Sequence, residues 1–261
     1  MNERCAELIV PDWQVSSRVK CLVTTRVGGV SPEPWTSLNL GVNTQDTWRN
    51  IEANRALLSA QLPKDLTIQW IEQVHGTDSY TADAAIPNTG ALELLPTADI
   101  CYSRDSGVAC AVLSADCLPI LISNSAGTEV AAVHAGWRGL VAGVLEKALI
   151  NFSSSTQELL VWMGPAISLD AFEVGGEVTE AMLNAGLFHA TELGSLSKAH
   201  PTDSNKLFLD LSGIARNKLL SLGVKHISGG EYCSYFDEEK FYSYRRDGET
   251  GRMASLIWIE A

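Results

Sequence analysis

The sequence predicts an α/β fold with α+β layering: a single domain over residues 1–261, built of mixed β-sheets covered by helices. Three observations carry this expectation. Short, continuously apolar runs recur along the whole chain, and segments of helical periodicity are interspersed among them. No internal repeat, low-complexity tract or Pro/Ser linker divides the sequence. A chain of 261 residues, 46% of them hydrophobic, can bury a substantial core.

The strand candidates, in order, are CLVTT from Cys21, IQWIEQV from Ile68, VACAVL from Val108 and LPILIS from Leu118. EVAAV from Glu129, ELLVWM from Glu158, KHISGGE from Lys225 and ASLIWI from Ala254 follow. Their unbroken apolar character predicts strands covered on both faces. The first helix is expected in WRNIEANRALLSAQL, where Ile51, Arg55, Leu58 and Leu62 share a side and Asp46 or Thr47 caps the start. LVAGVLEKALINF predicts a second helix, aligning Leu140, Val141, Val144, Leu145, Ala148 and Leu149. Shorter helices are expected from Glu177 to Asn184 and from Leu209 to Leu222, the latter stopped by Gly223.

A formal net charge of -12 offers no general attraction for nucleic acid or for an anionic membrane. An anionic substrate must then be held by a few local arginines. The start, MNERCAELIVPDW, lacks a basic region followed by a long apolar one, and no run of about 20 apolar residues could span a bilayer. The expected location is cytoplasmic. Cys5, Cys21, Cys101, Cys110 and Cys233 are read as reduced packing residues.

Cys117 and His134 break this pattern, because each sets a metal-capable side chain against a strongly apolar stretch. His134 ends the EVAAV strand, before the turn HAGWRG and a helix, where α/β proteins commonly place chemistry. Cys117 lies in a turn between two apolar runs, and His75 in IEQVHGTD ends another run before a glycine. These three could form a His-Cys-His set, to which zinc is suited, with a fourth position open for water or substrate. His189, His200 and His226 lack this context and are read as structural.

At these residues the sequence resembles the YfiH family, also called laccase-domain or polyphenol-oxidase-like proteins and peptidoglycan editing factors. The resemblance runs through TTRVGGVSPEPWTSLNLG from Thr24, EQVHGTD from Glu72, TADICYS from Thr97 and SADCLPIL from Ser114. It continues in VAAVHAGWRGL from Val130, MGPAISLDAFEVG from Met163 and FYSYRRDGETGRMASLIWI from Phe241. The resemblance implies that His75, Cys117 and His134 bind one zinc ion together, and that the fold is related to the catalytic domain of CNF-type toxins. Two departures stand out: Asn43 occupies a position where the family often has histidine, and Ala166 one where some members have cysteine.

Around the triad, Arg26 and Arg138 lie in glycine-punctuated loops and Arg245, Arg246 and Arg252 in YRRDGETGR. Guanidinium groups there are suited to phosphate. Arg26, Arg138 and Arg245, with Asn39 of SLNLG, are assigned to substrate or phosphate, and Asp116 beside Cys117 to ligand orientation or proton transfer. The resemblance implies phosphorolysis of adenosine, inosine and methylthioadenosine, with adenosine deamination as a side activity. Two rivals are a peptidoglycan-precursor editing hydrolase and a copper polyphenol oxidase. A multicopper cluster needs many histidines and the chain has five, so zinc is preferred over copper.

Overall fold

Strands that are apolar on both sides must be covered on both sides, and that requirement organises the molecule. The computed structural model describes residues 5–84 and 95–260. Its strands are β1 (Leu8–Ile9), β2 (Val19–Thr24), β3 (Thr67–Gln69), β4 (Ser79–Thr81), β5 (Ile100–Ser103), β6 (Val108–Ser114) and β7 (Leu118–Asn124). They continue as β8 (Val130–Ala135), β9 (Leu159–Met163), β10 (Glu173–Gly175), β11 (Ser197–Ala199), β12 (Lys206–Leu209), β13 (His226–Gly229) and β14 (Met253–Ile259). The helices are α1 (Trp48–Ser59), α2 (Trp137–Ala142), α3 (Val144–Ile150), α4 (Gly176–Asn184), α5 (Leu193–Leu196), α6 (Leu211–Ser221) and α7 (Tyr244–Asp247).

Two mixed sheets carry the molecule, a five-stranded one ordered β1-β2-β14-β6-β3 and a six-stranded one ordered β13-β9-β7-β8-β5-β4. They stack face to face. Val23, Cys110, Val112 and Ile257 of the first meet Cys101, Leu121, Val130 and Ala132 of the second. The opposite face of the six-stranded sheet, with Ile100, Ile120, Ile122 and Val133, packs on Leu140, Leu145, Met182 and Ile214 of the helices. The outer face of the five-stranded sheet, with Ala111, Leu256 and Trp258, packs on Leu58 of α1 and on Leu38 and Leu40. Alternate residues of β7, β8 and β14 thus enter different cores, which explains why these strands read as continuous apolar runs. A small antiparallel sheet, β10-β12-β11, lies beside this stack.

The mixed α/β fold class expected from the sequence is the one observed, and three details differ. The IQWIEQV stretch joins the β6 ladder only at its start, in β3 (Thr67–Gln69), and Glu72 forms a separate parallel bridge with Thr97. Beyond it the side-chain amide of Gln73 replaces the backbone ladder, accepting from Leu113 N at 2.7 Å and donating to Leu113 O at 2.8 Å. The second helix is two helices, because Gly143 adopts a left-handed conformation with φ 92° between α2 and α3. The segment from Leu209 begins its helix only at Leu211, since Leu209 closes β12 and Asp210 caps α6 by accepting from Gly213 N. Thr47 is the cap of α1, accepting from Asn50 N.

The break at Gly143 gives a test of this account. Gly143→Ala forces a β-carbon into the left-handed region and should destabilise the fold by about 1–2 kcal/mol, measured by denaturant unfolding. An unchanged or increased stability would mean that residues 140–152 tolerate a continuous helix.

Candidate metal centre

Strand register brings the polar groups of the centre together. In the β5–β8 pair Ile100 lies opposite Val133, so Asp99 lies opposite His134, and His134 N donates to Asp99 O at 2.8 Å. Directly opposite residues share a face, and this face looks into the gap between the two large sheets. The Asp99 carboxylate, completely buried, takes His134 Nδ1 at 2.7 Å. A carboxylate only accepts, so Nδ1 carries the proton and Nε2 is left for a ligand position.

The same carboxylate accepts three backbone amides, from Val74 at 3.2 Å, His75 at 3.0 Å and Gly76 at 2.6 Å. These bonds curl the loop that carries His75, whose own φ is 60°. Burial works against ionising Asp99, but His134 and the Gly76 and Val74 amides hold its pKa below the usual carboxylate range. Asp99 is the residue that the sequence motifs did not single out. Its signal is the acid of TADICYS directly before an apolar strand, which gains meaning only once β5 is paired with β8.

Cys117 enters from the β6–β7 turn. There Asp116 has a φ of 102°, its Oδ1 accepts Ser234 Oγ at 2.7 Å and its Oδ2 accepts Arg245 N at 2.7 Å. Cys117 Sγ lies 3.7 Å from His75 Nε2, and the donor atoms of His75, Cys117 and His134 all fall within 4.8 Å of one another. Metal bonds of about 2.0–2.3 Å at tetrahedral angles bring neighbouring donors to roughly 3.3–3.8 Å, so a small contraction completes a site. Gly136 keeps the space clear: a Cβ there would stand 2.9 Å from Cys117 Sγ and 3.0 Å from His75 Cδ2. Two imidazoles, one thiolate and this fitted gap suit a metal ion. Among the described residues no other His, Cys, Asp and Glu group has such an arrangement.

The triad opens into a cavity of about 570 Å³. Asp116, Arg138 and Arg245 line it, joined by Arg252, Asn43 and the aromatic rings of Trp137, Phe172 and Tyr244. Arg138 stacks on Trp137 at 4.4 Å, and Arg245 Nη1 is anchored on Glu173 O at 2.8 Å. Burial holds the Arg252 guanidinium below its usual pKa against the pull of Glu249, Cys117 and Asp116.

Two expected contributors do not reach the cavity. Arg26 turns to backbone carbonyls, donating to Thr36 O and Glu238 O at 3.0 Å each, and its guanidinium lies 4.9 Å over the Tyr242 ring. Asn39 is fully buried behind the wall, where its Oδ1 accepts Gly41 N and Arg252 N, both at 3.0 Å. Its contact with the cavity is therefore through Gly41 and Arg252. Arg246 likewise spends its donors on Ser234 O, Tyr235 O, Phe241 O and Asp247.

A family model described as multi-copper polyphenol oxidoreductase laccase matches residues 20–260. The purine nucleoside phosphorylase YfiH of Escherichia coli (strain K12) is 45% identical over 254 residues, covering 97% of this chain and 99% of that protein. The purine nucleoside phosphorylase PA4543 of Pseudomonas aeruginosa is 43% identical over 253 residues, covering 97% and 98%. Among solved structures, protein NMB0706 of Neisseria meningitidis superposes with a TM-score of 0.87 at 40% identity, covering 97% of this chain and 99% of that one.

Electrostatics within the metal-free triad give a measurable consequence. Burial alone would raise the Cys117 thiol, but His134 and His75 bring its pKa down to about 6. Burial would lower His134, but the Cys117 thiolate and Asp99 bring its pKa up to about 9. Between those values the pair is thiolate and imidazolium, and a metal ion must displace the His134 proton. Alkylation of Cys117 in the metal-stripped protein should therefore switch on with rising pH through a midpoint near 6, and His134→Ala should move that midpoint upward. A midpoint near the ordinary 9.0, unmoved by the substitution, would contradict the pairing.

Proposed function

The chain belongs to the family described as multi-copper polyphenol oxidoreductase laccase, and from that membership we propose that it is a zinc-dependent purine nucleoside phosphorylase. Its substrates are adenosine, inosine and methylthioadenosine with inorganic phosphate, and deamination of adenosine is a side activity. Relatives 45% and 43% identical carry the phosphorylase name. The observation that carries the reading is the cavity itself. In a chain of net charge -12, three arginines and three aromatic rings converge on the chamber that holds the His-Cys-His triad.

In phosphorolysis a phosphate oxygen bonds to C1′ of the ribose while the C1′–N9 bond breaks. The electron pair leaves with the purine, which takes up a proton. Arg138, Arg245 and Arg252 bind the phosphate beside a sugar carbon that becomes positively charged. Trp137, Phe172 and Tyr244 offer faces for the purine ring, and Ile71, Leu113 and Leu211 exclude water around it. Asp116 holds the turn that carries Arg245, and Asn39 holds the backbone of Arg252, so both act as positioning residues.

His75, Cys117 and His134 would hold the zinc, which supplies Lewis acidity when bound. The reading takes zinc because nitrogen and thiolate donors with an open position form its catalytic set. A multinuclear copper cluster would draw on more imidazoles, yet His189, His200 and His226 lie away from the cavity. The reading takes the enzyme as cytoplasmic and free of nucleic-acid partners, in line with its charge; among the described residues no helix is long and apolar enough to cross a membrane.

Inosine with and without phosphate tests the proposal. Protein carrying close to one zinc per chain should give hypoxanthine and ribose 1-phosphate only when phosphate is present, and Cys117→Ala should lose zinc and activity together. Free ribose released at full rate without phosphate would make the protein a hydrolase. Stoichiometric copper with intense blue absorption would overturn the metal assignment.

A further inference from the structure

Ser114 is the last residue of β6 and only 3% exposed, and it lines the cavity. Its hydroxyl has no hydrogen-bond partner among the described residues. Equally buried serines elsewhere are satisfied: Ser31 donates to Asp46, Ser103 to Ala82 O and Ser234 to Asp116. Ser255 also lacks a partner, but its hydroxyl is sealed off from solvent. The Ser114 hydroxyl is not sealed in this way, and a hydroxyl that faces a binding chamber without a protein partner is open to a bond from the ligand.

The position of Ser114 selects which part of the ligand. Ser114 pairs with Met253 across the β6–β14 ladder, next to Arg252 at the start of that strand. Ala115 therefore stands opposite Arg252, and Ser114 takes the face of Cys110 and Val112, towards the gap between the sheets that Asp99 and His134 also face. Ser114 and Arg252 line the cavity from adjacent backbone positions. Phe172 and Trp137 come from the side of the six-stranded sheet and its helices. If Arg252 holds the phosphate that attacks C1′, Ser114, one backbone position away on the cavity wall, is within reach of the sugar. A serine hydroxyl both donates and accepts, and so does each hydroxyl of a ribose.

We propose that Ser114 is a substrate-binding residue whose hydroxyl bonds a ribose hydroxyl of the nucleoside. This rests on the phosphorylase reading and adds to it a means of recognising a ribonucleoside. Nothing in the fold depends on the Ser114 hydroxyl, so its removal separates binding from stability.

The test compares wild type with Ser114→Ala on inosine, 2′-deoxyinosine and 3′-deoxyinosine at saturating phosphate. It measures kcat/KM, or an inhibition constant where an analogue is not turned over. The substitution should weaken inosine by about 3- to 10-fold, the size of one neutral hydrogen bond. It should leave the melting temperature unchanged, and its penalty should vanish on the analogue that lacks the partner hydroxyl. An equal penalty on all three nucleosides, or no penalty on any, would overturn the proposal. Wild-type protein that neither binds nor cleaves inosine would refute the phosphorylase reading, and the ribose contact with it.

Discussion

One buried carboxylate organises the centre. Asp99 spends its oxygens on His134 Nδ1 and on the amides of Val74, His75 and Gly76. A charge placed in the interior is tolerated only when its hydrogen bonds are made, so the fold and the site share one requirement. If these bonds form, His134 is oriented and the His75 loop is curled against it. If they do not, an ionised carboxylate is stranded between the sheets and two of the three donors lose their support. Asp99 thus does for two ligands what an outer carboxylate commonly does for one histidine.

The rest of the centre follows from where the stacked sheets end. β7 and β8 pair with Pro119 opposite His134, so the turn before β7 delivers Cys117 to the same edge as the two histidines. Gly136 leaves the space that the sulfur and the His75 ring occupy. The other wall is made by segments far away in sequence, the loop at Gly41–Asn43 and the stretch from Tyr244 to Arg252. Asn39 and Asp116 tie these segments to each other and to the turn of Cys117. The site is therefore held by side-chain bonds to backbone. Arg252 Nη1 donates to Thr250 O and Gly251 O and Arg245 Nη1 to Glu173 O, which fixes both guanidinium groups at the cavity wall.

The sequence made the strands and helices legible because each apolar run belongs to two cores and each long helix has a clear face. It made His75, Cys117 and His134 legible because metal-capable side chains at strand ends stand out against apolar neighbours. Asp99 was hidden in plain view, as an acid before a strand whose partner strand lies some thirty positions later and cannot be read from spacing. Arg26 and Arg138 look alike in sequence, each in a glycine-punctuated loop. Only the packing of Tyr242 and the carbonyls of Thr36 and Glu238 direct the first away from the cavity, while the second lines it. Gly143 shows the same limit for helices, since periodicity runs straight through a glycine whose left-handed conformation breaks the rod.

The most direct measurement of the central claim is the metal affinity of Asp99→Asn, determined by titration of the stripped protein beside wild type. An amide can still meet His134, but its nitrogen cannot accept the amides of the His75 loop. Affinity should fall by roughly 10- to 100-fold, with the Cys117 ligand and its turn intact. An affinity equal to wild type would show that the triad assembles without this carboxylate, and would contradict the account.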